Sequence, residues 1–120
     1  MRDFHSLKVW EKSHQLVLVI YRTTQDFPAE ERFGLTLQIR RAAVSVSSNI
    51  AEGAGRSGDR ELAQFLNIAA GSISEVEYQW LLARDLGYIP DEDTYRDTVQ
   101  QISELKRMLN AFLQKLTADG

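Results

Sequence analysis

Apolar side chains recur at three- and four-residue intervals along most of this chain, the spacing that gathers them on one face of an α-helix. In the amino-terminal stretch, Val9, Trp10, Ser13, Leu16, Val17, Ile20, Tyr21 and Thr24 keep that period and predict a first helix over roughly 7–26. Leu35, Ile39, Ala42, Ala43, Val46, Ser47, Ile50 and Ala51 repeat it and predict a second over roughly 35–53, closed by Gly53 as a left-handed cap. The third seam, Leu62, Phe65, Leu66, Ala69, Ile73, Val76, Trp80 and Leu81, runs unbroken to Gly87. It predicts a helix over roughly 59–86, about 42 Å long, with Ser57 or Asp59 capping its start and Asp59 and Glu61 at the positive end of its dipole. A fourth helix over roughly 92–117 follows Pro90 and the acids Asp91, Glu92 and Asp93, and carries Tyr95, Val99, Ile102, Leu109, Phe112, Leu113 and Leu116 on one face.

Pro28 with Gly34, the glycines 53, 55 and 58, and Gly87 with Pro90 punctuate the three junctions. Short connections favour antiparallel neighbours, so the fold class expected over 1–120 is an all-α, up-down-up-down four-helix bundle in one domain. Two helices depart from a plain amphipathic pattern. The second has an inward face of small residues, Ala42, Ala43, Ser47 and Ala51, which lets another backbone come close and obliges Ser45, Ser48 and Asn49 to find hydrogen-bond partners where they are buried. In the first, Leu16 to Tyr21 are consecutive apolar residues that point all round the helix, so part of the run is expected to face a second subunit of a homo-oligomer.

With 120 residues, the chain can bury a core without disulfides or a structural metal. The absence of cysteine removes thiolate metal sites and cysteine nucleophiles, and fits a reducing, cytoplasmic setting. The start, MRDFHSLKVWEKSH, interleaves charged and apolar residues unlike a secretory signal, and no apolar stretch approaches the ~20 residues of a membrane span, so no membrane partner is expected. A formal net charge of −3 at pH 7 argues against indiscriminate binding of nucleic acid and leaves only local patches for such contacts.

Candidate chemistry is sparse. Glu11 and His14 have the Glu-x-x-His spacing of di-iron bundles, but no second copy exists, and a carboxylate-histidine cage cannot be assembled. No serine sits in Gly-x-Ser-x-Gly, and Gly53, Gly55 and Gly58 lack the preceding strand and closing Gly-Lys-Ser/Thr of a phosphate loop. The chain is therefore read as a non-enzyme without metal or cofactor. What stands out is a run of arginines, Arg40, Arg41, Arg56 and Arg60, opposed locally by Glu52 and Asp59. Their planar forks suit phosphates, and suit equally carboxylates such as Glu52, Glu75 or Glu77 in a neighbouring helix or subunit.

Three segments in order, LKVWEKSHQL, FPAEERFGLTLQIRRAAVSVSSNIAEGAGRS and FLNIAAGSISEVEYQ, make the chain from about Phe4 to Tyr88 resemble a known family, the four-helix-bundle proteins encoded in intervening sequences of bacterial 23S ribosomal RNA genes. The resemblance implies a ring-like homopentamer with no known enzymatic activity. It extends to the accessory variability proteins of diversity-generating retroelements, similar pentamers with a basic surface that are thought to engage nucleic acid and a reverse transcriptase. Where such relatives often carry extra lysines after the position of Arg56, this chain has Gly58, Asp59 and Glu61.

The residues matching the family motifs are Gln38, Arg40, Arg41, Ser45, Asn49, Glu52, Gly53, Gly55, Arg56, Gly71, Ser72 and Glu75, none of them catalytic. Gly71 and Ser72 are expected to pack on the small face that carries Ala42 and Ala43, and Arg41 and Asn49 to pair with Glu75 or Glu52. Two functions follow as expectations: a homo-oligomeric scaffold that meets RNA or DNA through its arginines, or an adaptor that binds another protein and no nucleic acid.

Overall fold

A computed structural model describes residues 1–118 and contains helices α1 (Lys8–Thr24), α2 (Leu35–Ala54), α3 (Asp59–Asp85) and α4 (Glu92–Thr117), with short 3₁₀ turns at Phe4–Ser6 and Ala29–Glu31 and no strand among the described residues. All four helices lie within two residues of the boundaries that periodicity predicts. The caps differ more. Gly53 is an ordinary right-handed helical residue inside α2, and among the described residues the left-handed backbone occurs only at Gly87 (φ 80°). At the start of α3 the cap position is Gly58, without a side-chain hydrogen bond, and neither Ser57 nor Asp59 serves. Asp91 does cap α4, accepting the Thr94 N–H at 2.7 Å, which draws its carboxyl pKa down.

The core follows the four seams. Leu16, Ile20, Ile39, Val46, Ile50, Leu66, Ile73, Val76, Trp80, Ile102, Leu105 and Leu109 are fully buried and form one continuous cluster, with Leu113 and Leu116 packed at its edge. A smaller cluster of Phe27, Leu35 and Ala83 closes one end against Tyr88 and Ile89. Around the bundle, α1 touches α2 and α4, α3 touches α2 and α4, and the pairs α1/α3 and α2/α4 lie diagonally out of contact. Across α2 and α3 the paired residues run in reverse sequence order, Leu35 beside Ala83, Ser45 beside Ser72, Gly53 beside Leu62 and Phe65.

The most intimate contact is between α2 and α3. It is tightest at its Gly53 end, where a Cβ would come within 2.8 Å of the Phe65 Cβ and 3.0 Å of the Leu62 Cδ1. Ala42, Ala43 and Ala69 continue the small-residue seam, all of them buried. Gly71 behaves differently from the sequence-based expectation. It lies on the outer face of α3, and nothing comes within 4 Å of where its Cβ would be. Ser72 alone faces α2. The period of 3.6 puts both residues near the seam, but a step of about 100° carries Gly71 past it into solvent.

At the end formed by the first and third connections, the Glu31 carboxylate accepts the Leu35 N–H at 3.1 Å and the Tyr88 hydroxyl at 2.8 Å. The bond from Leu35, then that from Tyr88, hold the Glu31 pKa below its ordinary 4.5, and the same carboxylate raises Tyr88 above its ordinary 10.0. For a lowered acid, the stabilisation is present above the unfolded pKa and lost as pH falls through the folded one; for the raised phenol it is lost as pH rises through the folded value. Melting temperature is therefore expected to fall below about pH 4.5 and above about pH 10, with Glu31→Gln flattening the acid limb and Tyr88→Phe the alkaline one. Superimposable profiles for wild type and both variants in thermal melts followed by circular dichroism would mean this tie does not hold in solution.

Candidate functional site

The small, polar side chains of α2 and α3 settle among themselves first. Ser45 and Ser72 hydroxyls lie 2.9 Å apart, and the Asn49 amide donates to the Ser45 carbonyl at 2.8 Å and to its hydroxyl at 3.0 Å. Ser13 and Ser47 make a parallel bridge between α1 and α2 at 2.9 Å. Ser48 points outward and needs no partner. Beside the Ser45–Ser72 pair opens a shallow recess of about 310 Å³ lined by Gln38, Arg41, Ala42, Ser45, Ser72 and Glu75. Just beyond it, Gln79 is 6% exposed; its amide nitrogen donates to Glu75 at 3.5 Å, and its Oε1 is the one buried side-chain polar atom without a partner among the described residues.

The arginines do not form one patch. Arg40 belongs to the α1–α2 contact, donating to Thr24 at 2.8 Å and to the Tyr21 carbonyl at 3.2 Å while its guanidinium sits 4.6 Å from the Tyr21 ring centre. Arg56 pairs with Glu52 at 2.9 Å and covers the Phe65 ring at 5.0 Å. Arg41 and Arg60 are exposed and make no ion pair or hydrogen bond among the described residues. The expected pairing of Arg41 and Asn49 with Glu75 or Glu52 is thus absent: Asn49 bonds to Ser45, and Glu52 is taken by Arg56. Arg41 lies in the second turn of α2 and Arg56 beyond its carboxyl end, at least about 19 Å further along at 1.5 Å per residue, so they are not neighbours in space.

Apolar side chains left outside form the other distinctive feature. Of the Leu16–Tyr21 run, Leu16, Val17 and Ile20 are buried and Val19 is half-buried, whereas Leu18 is 44% exposed and Tyr21 40%. On α3, Ile68 is 52% and Tyr78 62% exposed, on the same outer side as Gly71. Sequence reading passed over Ile68 and Tyr78 because they fall off the seam. That off-phase position was the available signal, since an apolar residue outside the helical stripe has no internal partner to pack on.

Near the amino terminus, Phe4 stacks on His5 and Trp10 on His14, nearly parallel at 5.2 Å, and Trp10 meets the first pair edge-on. His14 is therefore a stacked surface group, and Glu11 stays exposed beside it. No group of three or more metal-ligating side chains comes together among the described residues. Nor is any described helix long and apolar enough to cross a membrane.

Four helices in ring order, with a seam of small residues between the middle two and outward apolar residues on the first and third, define an all-α, four-helix protein. Residues 5–111 match the sequence model of the 23S rRNA-intervening sequence protein family, and the chain belongs to that family. Among solved structures, it is similar to a protein of unknown function from the S23 ribosomal protein family of Bacteroides thetaiotaomicron, at 24% identity and a TM-score of 0.80 over 88% of this chain and 95% of that one. That likeness carries the fold. No curated protein matches this chain.

Proposed function

We propose that this protein is a non-enzymatic, cytoplasmic, homo-oligomeric scaffold, an up-down-up-down bundle that assembles into a ring, with five copies as the family resemblance implies. The observation that supports this reading is the placement of exposed apolar residues on the outward faces of two diagonal helices, Leu18 on α1 and Ile68 and Tyr78 on α3. Apolar side chains gathered on outward helix faces mark surfaces that bind protein.

Light scattering coupled to size exclusion tests it against a chain mass of 13.7 kDa. A mass of several chains is expected, and a single-chain mass at micromolar concentration would refute the scaffold reading. Within a ring, the free guanidinium groups of Arg41 and Arg60 recur once per subunit and supply the cations for nucleic acid. Titration of labelled RNA and DNA should then show an affinity that falls with salt and is lost in an Arg41→Ala, Arg60→Ala double variant. Absence of binding at low salt would leave the adaptor reading, which the net charge of −3 favours.

A further inference from the structure

Gly71 has no explanation inside its own subunit. It sits in the middle of a 27-residue helix, where glycine costs about 1 kcal/mol relative to alanine, and the space over it is empty. Nothing in the chain comes close enough to need the missing side chain. Its neighbours on the outer face are Asn67, Ile68, Ser74, Glu75 and Tyr78, all exposed, so the empty position lies between two apolar side chains on a face that also carries two small polar groups and one acid.

The opposite side of the bundle carries a matching edge. Leu18 projects from the outer face of α1, and Arg22 follows it by four residues, as Glu75 follows Gly71. Neither Arg22 nor Glu75 makes an ion pair among the described residues. Beside Leu18, a recess of about 400 Å³ between α1 and α4 is lined by Lys12, Gln15, Val19, Arg22, Gln101 and Glu104, so Leu18 and Arg22 border the same concave, mostly polar edge.

We propose that the outer face of α3 around Gly71 is the seat for α1 of a second copy of this chain, with Leu18 over Gly71 and Arg22 opposite Glu75. This inference rests on the oligomeric reading and names the surfaces that make it. Because α1 and α3 are diagonal, their outer faces lie on different sides of the bundle, and joining one to the other is a head-to-tail contact between unlike surfaces, which closes into a ring where successive copies are also rotated about the helix direction. Such a contact leaves a free α1 face and a free α3 face at the ends of every partial assembly, and it ends only when the ring closes. The shared four-residue step lets the leucine and the ion pair engage together where the two helices run the same way, as α1 and α3 do in an up-down-up-down bundle whose ring axis lies along the helices.

The cysteine-free chain allows a direct test. Leu18→Cys and Gly71→Cys are combined in one chain, oxidised with diamide and run on a denaturing gel beside each single variant, while light scattering gives the mass of the wild type. The two positions lie on helices that do not touch, so a disulfide between them joins different subunits. A ladder of multiples in the double variant and none in the single ones is expected. A multi-chain wild type without that ladder overturns the proposed seat and leaves the oligomeric reading standing, whereas a single-chain wild type overturns both. Independently, Arg22→Glu should lower the assembled mass at physiological salt and Arg22→Glu with Glu75→Arg should restore it; an unchanged mass in Arg22→Glu counts against the contact. Both are surface changes that leave the subunit folded.

Discussion

Trp80→Ala is expected to lower the unfolding free energy by about 3–5 kcal/mol, a large share of the total for a domain of this size. Trp80 is completely buried in the largest core cluster, and its indole N–H donates to the Tyr95 carbonyl at 3.1 Å, tying α3 to the first turn of α4. The Tyr95 ring lies parallel to it at 6.2 Å and is covered on its own account by the Arg84 guanidinium at 4.6 Å. Alanine would leave a cavity and remove the side-chain donor from the Tyr95 carbonyl, which keeps only its bond within α4. Trp80→Phe keeps most of the volume and should cost less, about 1–3 kcal/mol. Urea unfolding followed by circular dichroism, at one fixed chain concentration because assembly adds to apparent stability, reads both values. An alanine variant within about 1 kcal/mol of wild type would mean that the α3–α4 end is far looser than the packing indicates.

The second large effect is a contrast between two glycines. At Gly53 any side chain meets the Cβ of Phe65, an atom fixed to its backbone, so the helices themselves must part. Overpacking of this kind costs about 1–3 kcal/mol, and for Gly53→Leu the upper end or more is expected, against a helix-propensity gain of only about 1 kcal/mol. Gly71→Ala adds a methyl group to open space and should stabilise the isolated subunit by about 0.5–1 kcal/mol. Opposite signs for Gly53→Ala and Gly71→Ala in the same unfolding assay are the diagnostic result. A stabilising Gly53→Ala would show that α2 and α3 do not approach as closely as Phe65 and Gly53 indicate.

These glycines also show how far the sequence carried. Gly53 and Gly71 both lie in alanine- and serine-rich helical stretches, and periodicity assigned the close approach to Gly71 and a capping role to Gly53. The structure reverses that. The physical reason is angular: on a helix with neighbours on two sides, a seam is about 100° wide or more, and periodicity alone does not say which side of it a residue falls on. Of Ser45, Ser48 and Asn49, expected to need partners where they are buried, Ser45 and Asn49 have them and Ser48 is exposed. Which partners they take depends on distances across α2 and α3, and these removed Arg41 from the network altogether. The arginines show the same limit, since Arg40 turns to α1 and Arg56 to Glu52 although four basic residues read as one cluster along the chain.

What the sequence determined by itself was the number, type and approximate bounds of the helices, because a 3.6-residue period and glycine or proline breaks are local properties of the chain. It also determined the lack of cysteine chemistry and, through a series of motifs, the family. Only the tertiary structure decided that Leu18, Ile68 and Tyr78 remain outside, that Gly71 stands under open space and that Gly53 does not. Those outcomes depend on which helix sits beside which, and a side chain's exposure is set by neighbours distant in sequence, which no local period encodes.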